Sequence, residues 1–244
     1  MSEKSSVSFL KQKPIDLVKQ FICYIGGLLI LTVGLNLSKL SGLGISPVSS
    51  IPRACEIIWG LTLGTTSMIV YAVLVLLQFI LLRKRFRVIN ILGIVVTFLF
   101  SWMIDLTGSD PRAFGHLMAG LPVAGSYPVK LVYLVISIFL IALGVFLYTS
   151  AHWIPMPAEG LAEALSNVTG KAFGDCKTML DCSLIAIALI LQLVFLGGFD
   201  SFKDPSTTVV REGTIISAVC VGQVVKFFNK KLGQKLQGLL HSKK

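Results

Sequence analysis

Charged and polar residues set inside apolar surroundings are where this chain could do chemistry. Arg53 and Glu163 stand 110 residues apart, in two short segments that open on Pro47 and Pro157. Opposite charges at matched positions could face one cavity and hold a polar solute between them. A charge dipped into a bilayer costs several kcal/mol unless it is paired or hydrated, and the alternative is that both residues lie solvated at the membrane interface. Glu56 follows Arg53 by three residues and could form an ordinary helical ion pair with it; Glu159 sits close behind Pro157. Lys177 and Asp181, four apart, share a helix face, either as a salt bridge at the headgroups or as cavity lining. Asn36, late in a long apolar run, faces a partner helix or a cavity. At Pro47 and Pro157 the unsatisfied amides of a helix start, with the helix dipole, would favour an anionic group. Ser46 can cap the first of these ends, whereas Met156 cannot cap the second. These eight residues, Asn36, Pro47, Arg53, Pro157, Glu159, Glu163, Lys177 and Asp181, are the candidate solute-binding set.

Enzyme and metal chemistry find no footing. His116, His152 and His241 show no metal-ligand spacing, and no H-E-x-x-H, P-loop, G-x-S-x-G or Rossmann pattern occurs. No catalytic residue, metal or cofactor is expected. The five cysteines form no C-x-x-C pair and mostly lie in or beside apolar runs, as small buried hydrophobes. Asn167-Val-Thr169 fits a glycosylation sequon, but the topology expected below places it inside the cell.

With 54% hydrophobic residues, 14% charged and a mean hydropathy of +0.81, the chain is too poor in charge for a soluble domain, which carries roughly 25%. A polytopic membrane protein is expected, with the lipid bilayer as its partner. The net charge of +10 gathers at the ends of apolar runs, so it reads as topological and not as a nucleic-acid surface. About 20 polar residues precede the first apolar run with no A-x-A-like cleavage site, so the first span is expected to persist in the mature protein.

Apolar runs place six spans at Phe21 to Leu40, Thr65 to Leu82, Val88 to Leu106, Leu131 to Tyr148, Met179 to Gly198 and Gly213 to Phe228. Asp105 and Lys226, at the ends of the third and sixth, read as snorkelling anchors. Between spans lie Pro47 to Trp59 and Pro157 to Thr169, each about 20 Å as a helix and short of the roughly 30 Å hydrocarbon core. Such helices must re-enter the bilayer or lie along its interface. Residues 108–127 read as a connecting loop with room for a short surface helix.

The two halves repeat. Sliding the sequence by 110 residues sets Gly34 on Gly144, Leu37 on Leu147, Pro47 on Pro157, Ala54 on Ala164, Gly60 on Gly170 and Gly64 on Gly174. Glycine and proline control backbone conformation, so these matches weigh more than chance identities of leucine. The glycines of Gly60-x-x-x-Gly64 and Gly170-x-x-x-Gly174 fall in turns, where they end helices. By the positive-inside rule the amino terminus, the Arg83 to Arg87 turn and the basic tail are cytoplasmic, and His116 is external. Each copy then holds three spans, an odd number, and the copies must be inserted in opposite orientations, a recurring plan in secondary transporters. The expected fold is all-α: six transmembrane helices as two inverted three-helix repeats, each with a short re-entrant or interfacial helix. It divides into a lead (1–20), a first repeat (21–106), an external loop (107–130), a second repeat (131–228) and a cytoplasmic tail (229–244).

GLGISPVSSIP followed by GLTLGTTSMIV (Gly42 to Val70), then PMPAEGLAEAL, GKAFGDCKTMLD and EGTIISAVCVGQVVKFF in the second copy, resemble the YczE/YyaS/YitT group of bacterial membrane proteins. The order covers about two thirds of the chain. Lys177 and Asp181 match a basic and acidic pair of that group. Where its pattern has an acidic or bulky polar residue just after the first-copy proline, Val48 and Ser49 stand here, and the third span lacks the Gly-Thr start that Gly213 and Thr214 give the sixth. The resemblance implies the architecture and a bacterial cytoplasmic membrane, and it leaves the substrate open. The functional expectation is a transporter or permease for a small polar or charged solute, working by alternating access. The alternative is a membrane accessory or scaffold protein. A homo-oligomer is compatible with either.

Overall fold

The computed structural model describes residues 14–83, 88–115, 117–198 and 207–240, without the side chains of 88–91. Eight helices account for most of it: α1 (Pro14–Ser41), α2 (Pro47–Trp59), α3 (Leu63–Leu82), α4 (Val88–Thr107), α5 (Tyr127–Ser150), α6 (Pro157–Thr169), α7 (Phe173–Phe195) and α8 (Glu212–Leu240). Four of them, α1, α3, α5 and α7, are long and apolar enough to cross a membrane. Their outward faces carry large exposed apolar side chains, among them Leu76, Phe79, Val135, Phe139, Ile190 and Val194, a surface that suits lipid. This is a membrane protein.

The expected short helices appear with their expected bounds. Pro at the first position starts each, and a glycine in the left-handed region ends each: Gly60 at φ 66° and Gly170 at φ 73°. No Cβ penalty applies to glycine there, so the chain can turn sharply into the next helix. The 110-residue correspondence extends to the backbone just before them, where Gly42 (φ 64°) and His152 (φ 52°) both take positive φ.

The long helices depart from expectation mostly at their ends. α7 begins at Phe173, not Met179, because Gly170 closes α6 and leaves only a brief link. α8 runs on to Leu240, well past Phe228, since Asn229 to Leu240 holds no proline and keeps apolar Leu232, Leu239 and Leu240 on a helical spacing. The described residues between 108 and 126 hold turns and no helix, yet Ala113, Met118 and Ala124 are buried there. Of the basic groups used for orientation, Lys84, Arg85, Arg87, His116 and the last four residues lie outside the described residues, as does most of the 1–20 lead.

The most extensive interface joins α1 to α5, and it is antiparallel. Phe21 and Tyr24 meet Trp153 with ring centroids 5.5 and 5.9 Å apart, while farther along Gly34 meets Ile141. A Cβ on Gly34 would lie 2.8 Å from the Ile141 backbone nitrogen, and one on Gly144 would lie 2.7 Å from that of Leu31. Leu31 and Ile141 are themselves 110 apart, so the contact is reciprocal. Small residues let the two backbones approach until dispersion contacts are dense, which drives helix association where lipid removes the hydrophobic driving force.

Around this pair the other contacts sort the helix ends into two groups. At one end lie the carboxyl ends of α1 and α4, Gly60 and the loop: Arg112 Nη1 donates to the Gly60 carbonyl at 2.5 Å, and the Ala124 amide to that of Leu40 at 3.2 Å. At the other lie the start of α1, the end of α5 and the end of α8, where Gln237 Nε2 donates to the Ser150 carbonyl at 3.2 Å. The packing partners largely exchange between copies: α2 packs on α7 as α6 packs on α3, α2 on α3 as α6 on α7, and α1 on α4 as α5 on α8. The close α3–α4 pairing has no comparable α7–α8 counterpart among the described residues.

Because the backbones touch at Gly144, Gly144→Val should lower the stability of the detergent-solubilised protein by about 2 kcal/mol or more. Gly26→Ala, where an added Cβ meets nothing within 4 Å, should leave the thermal midpoint unchanged or slightly raised.

Candidate functional site

Both short helices bury their first turn and expose their last. Pro47, Ser49 and Ser50 are buried while Trp59 is 53% exposed; Pro157 and Ala158 are buried while residues 167–170 are exposed. The two buried ends reach a common core, in which Ile45, Met156 and Ala158 pack with Tyr24, Tyr71 and Tyr148. Ser46 does not cap α2. Its hydroxyl donates to Ser49 Oγ at 3.3 Å, and the Ser49 amide donates to the Ser46 carbonyl at 3.0 Å.

A tyrosine meets each first turn. Ser49 Oγ lies 3.5 Å from Tyr71 Oη, and Tyr148 donates its hydroxyl to Glu159 Oε1. Ser49 and Glu159 are 110 apart, so the acidic position missing from the first copy is filled by serine and its counterpart is the site's carboxylate. The Met156 amide also donates to Glu159, the backward half of a capping box. Tyr24 completes the group, edge-on to Tyr148 at 6.2 Å and donating to the Ile154 carbonyl at 2.9 Å. On α7, Lys177 and Asp181 pair directly, within electrostatic reach of Glu159. Asp181 is the counterpart of Tyr71 and Lys177 that of Ser67, so matched positions are neutral in one copy and charged in the other. Ser67 is fully buried and its hydroxyl has no hydrogen-bond partner among the described residues.

The second-copy residues are also the less enclosed: Lys177 and Asp181 side chains are 25% and 23% exposed and Glu159 is half-buried, whereas Ser49 and Tyr71 are buried. Gln78 of α3 fixes α6 by donating to the Pro157 carbonyl at 2.8 Å.

Arg53 and Glu163 are not brought together. Arg53 pairs with Glu56 one turn on at 2.7 Å, and Glu163 is exposed. Glu56 is 2% exposed and is shared, since Lys39 of α1 reaches its other oxygen at 2.5 Å. This triad pins α2 to α1, which is a reason for a buried charge that sequence spacing alone did not supply. Asn36 faces a helix: its Nδ2 donates to the Ile104 carbonyl and to Thr107 Oγ1, both at 2.9 Å, closing the end of α4. Asp105 is not a snorkelling anchor. Its carboxylate accepts the Gly64 amide at 2.9 Å and the Thr62 hydroxyl at 2.8 Å, capping α3 from a neighbouring helix. In the loop outside the helices, the Arg112 guanidinium holds the Asp110 carboxyl below the usual carboxylate range.

Tyr24, Tyr71, Tyr148 and Lys39 were missed because a tyrosine or lysine in an apolar run reads as packing or anchorage. The available signal was the 110-residue register, which sets Tyr71 on Asp181 and Ser49 on Glu159.

An all-helical membrane protein with polar groups gathered at two broken segments is the class these features define. The chain belongs to the family described as "Family of unknown function (DUF6198)", whose model matches residues 18–230. It is similar to the uncharacterized protein YyaS of Bacillus subtilis (strain 168), 26% identical over 178 residues, 73% of this chain and 82% of that one. It is also similar to an uncharacterized protein of Haemophilus influenzae, 25% identical over 199 residues, 82% of this chain and 78% of that one. No solved structure matches significantly.

The two ion-pair clusters should respond differently to substitution. Glu56→Gln leaves Lys39 and Arg53 facing each other with their shared anion gone, and unfolding measurements should show a loss of about 3 kcal/mol. Asp181→Asn, at a partly exposed i, i+4 pair, should cost under about 1 kcal/mol.

Proposed function

We propose that the chain is a six-span membrane transporter for a small polar or charged solute, built as two inverted copies whose short helices re-enter the bilayer from opposite faces. It moves its solute without converting it. The observation that carries this reading is the convergence of two buried helix starts, Pro47 and Pro157, on one tyrosine-lined core, each helix emerging at a different end of the molecule. Irregular backbone at that depth is tolerated where protein or a water-lined passage surrounds it. The antiparallel α1–α5 crossing and the exchange of packing partners between copies support the inversion. In this reading α4 and α8 are the third and sixth spans, the Gly60 end is external, and the Gly170 end, with Lys230, Lys231 and Lys235 beyond it, is cytoplasmic. The enclosed Ser49–Tyr71 side and the partly exposed Glu159–Lys177–Asp181 side then describe a carrier shut toward the outside and partly accessible from within.

A scaffold role is the second reading, favoured by the dense packing of Tyr24, Tyr71 and Tyr148. A panel of small polar and charged solutes, assayed by thermal shift on the purified protein and then by uptake into proteoliposomes, separates the two. A true substrate at 100 times its dissociation constant adds about 2.7 kcal/mol of stability. It should accumulate in vesicles with wild-type protein and at least about tenfold more slowly with Tyr148→Phe, a loss equivalent to about 1.4 kcal/mol of barrier. Ligands that bind but are never taken up would favour the scaffold.

A further inference from the structure

One ammonium, Lys177, pairs with one carboxylate, Asp181, while a second, Glu159, stands within its electrostatic reach. Glu159 instead has two neutral donors, the Tyr148 hydroxyl and the Met156 amide. With both acids ionised the cluster would carry a net charge of −1 beside an apolar core that contains Leu161, Leu180 and Leu184, a costly state within a membrane. Among the described residues, Lys177 is the cation whose charge acts on Glu159, with Asp181 the opposing acid. α1 contributes Tyr24, α3 contributes Tyr71 by way of Tyr148, and α5 contributes Tyr148. No residue of α3, or of α4 before Asp105, is charged, and on α6 itself Glu163 points outward. No group of three or more His, Cys, Asp or Glu side chains among the described residues could hold a metal ion. A proton on Glu159 is what leaves the cluster neutral beside that core, with the carbonyl oxygen still accepting from Tyr148.

We propose that Glu159 is a proton-binding site and that its proton decides which carboxylate holds Lys177. In the arrangement seen here Glu159 is a carboxylic acid and Lys177 rests on Asp181, so the cluster is neutral. When the O–H bond of Glu159 breaks, the electron pair stays on the carboxylate and the proton passes to water at the partly exposed Lys177–Asp181 side. Lys177 then swings to Glu159, and the ion pair, until then within α7, becomes one between the two helices that ties α6 to α7. Coupling of this switch to solute movement rests on the transport reading above; the protonation and the exchange of partners do not.

The test uses the full chain in lipid vesicles. Infrared spectra should show a protonated-carboxyl C=O band at pH 7 that disappears in Glu159→Gln and persists in Glu163→Gln. A missing band, or one that survives Glu159→Gln, overturns the proposal. Should Glu159→Gln fail to fold, Tyr148→Phe serves, because removing the hydroxyl must shift the band; an unshifted band counts equally against. The switch itself is read at Cys176, which is 1% exposed and lies 3.7 Å from Thr169 Oγ1 where α6 meets α7. Its alkylation rate in wild type divided by that in Glu159→Gln cancels the thiol's own titration. That ratio should fall as pH rises, by up to about tenfold per unit, as a single-proton equilibrium requires, and a flat or rising ratio overturns the switch. Solute flux enters neither readout, so a protein that shows both signatures and transports nothing would leave the proton switch standing and remove the transport reading alone.

Discussion

The close crossing of α1 and α5 is the contact on which the rest of the molecule depends. Gly34 admits Ile141 and Gly144 admits Leu31, and because these positions are related by the same 110-residue step, one contact made twice sets both copies in place. In lipid, where burying leucine gains little over leaving it against acyl chains, a backbone approach of this kind supplies packing that bulky residues cannot. It also brings the breaks after α1 and after α5 to opposite ends of one pair, from which each short helix packs onto the other copy's α3 or α7.

The second constraint is the cost of irregular backbone and charge at depth. Several of the breaks among the described residues are closed by polar side chains from other elements. Gln192, fully buried, accepts the Val209 and Val210 amides at 3.2 and 2.8 Å. Gln78 holds the Pro157 carbonyl, Asn36 the end of α4, and Asp105 the start of α3. Glu56 serves two cations, Lys39 and Arg53, from two helices. These groups spend their hydrogen-bonding capacity on architecture, which separates them from Glu159, whose partners are neutral donors although a cation is nearby.

Much of the helical plan was legible in the sequence because glycine and proline act through the backbone, whose consequences are local. Pro47 and Pro157, with Gly60 and Gly170, delimited both short helices to the residue. The charge pairs within one helix, Arg53–Glu56 and Lys177–Asp181, were legible from their spacing; which charges meet between helices was not. Arg53 and Glu163 correspond by register, but correspondence across a two-fold relation does not imply contact, and the nearer Glu56 took Arg53 together with a lysine from α1. The role of Asp105 was equally hidden, since its partners Thr62 and Gly64 are 43 and 41 residues away and nothing in its apolar surroundings distinguishes a tertiary cap from a headgroup anchor. The resemblance drawn from the two glycine- and proline-rich signatures agrees with the family match over residues 18–230.

Opposite entry of the two short helices is the central claim, and side-specific labelling reads it directly. Single cysteines placed at Ser109, beside the Gly60 end, and at Asn167, at the exposed end of α6, in an otherwise cysteine-free chain, would be treated in intact cells with a membrane-impermeant thiol reagent. Labelling of the cysteine at position 109 in intact cells, and of that at 167 only after permeabilisation, is the expected result. Labelling of both from the same side would contradict the inverted arrangement, and with it alternating access between the copies.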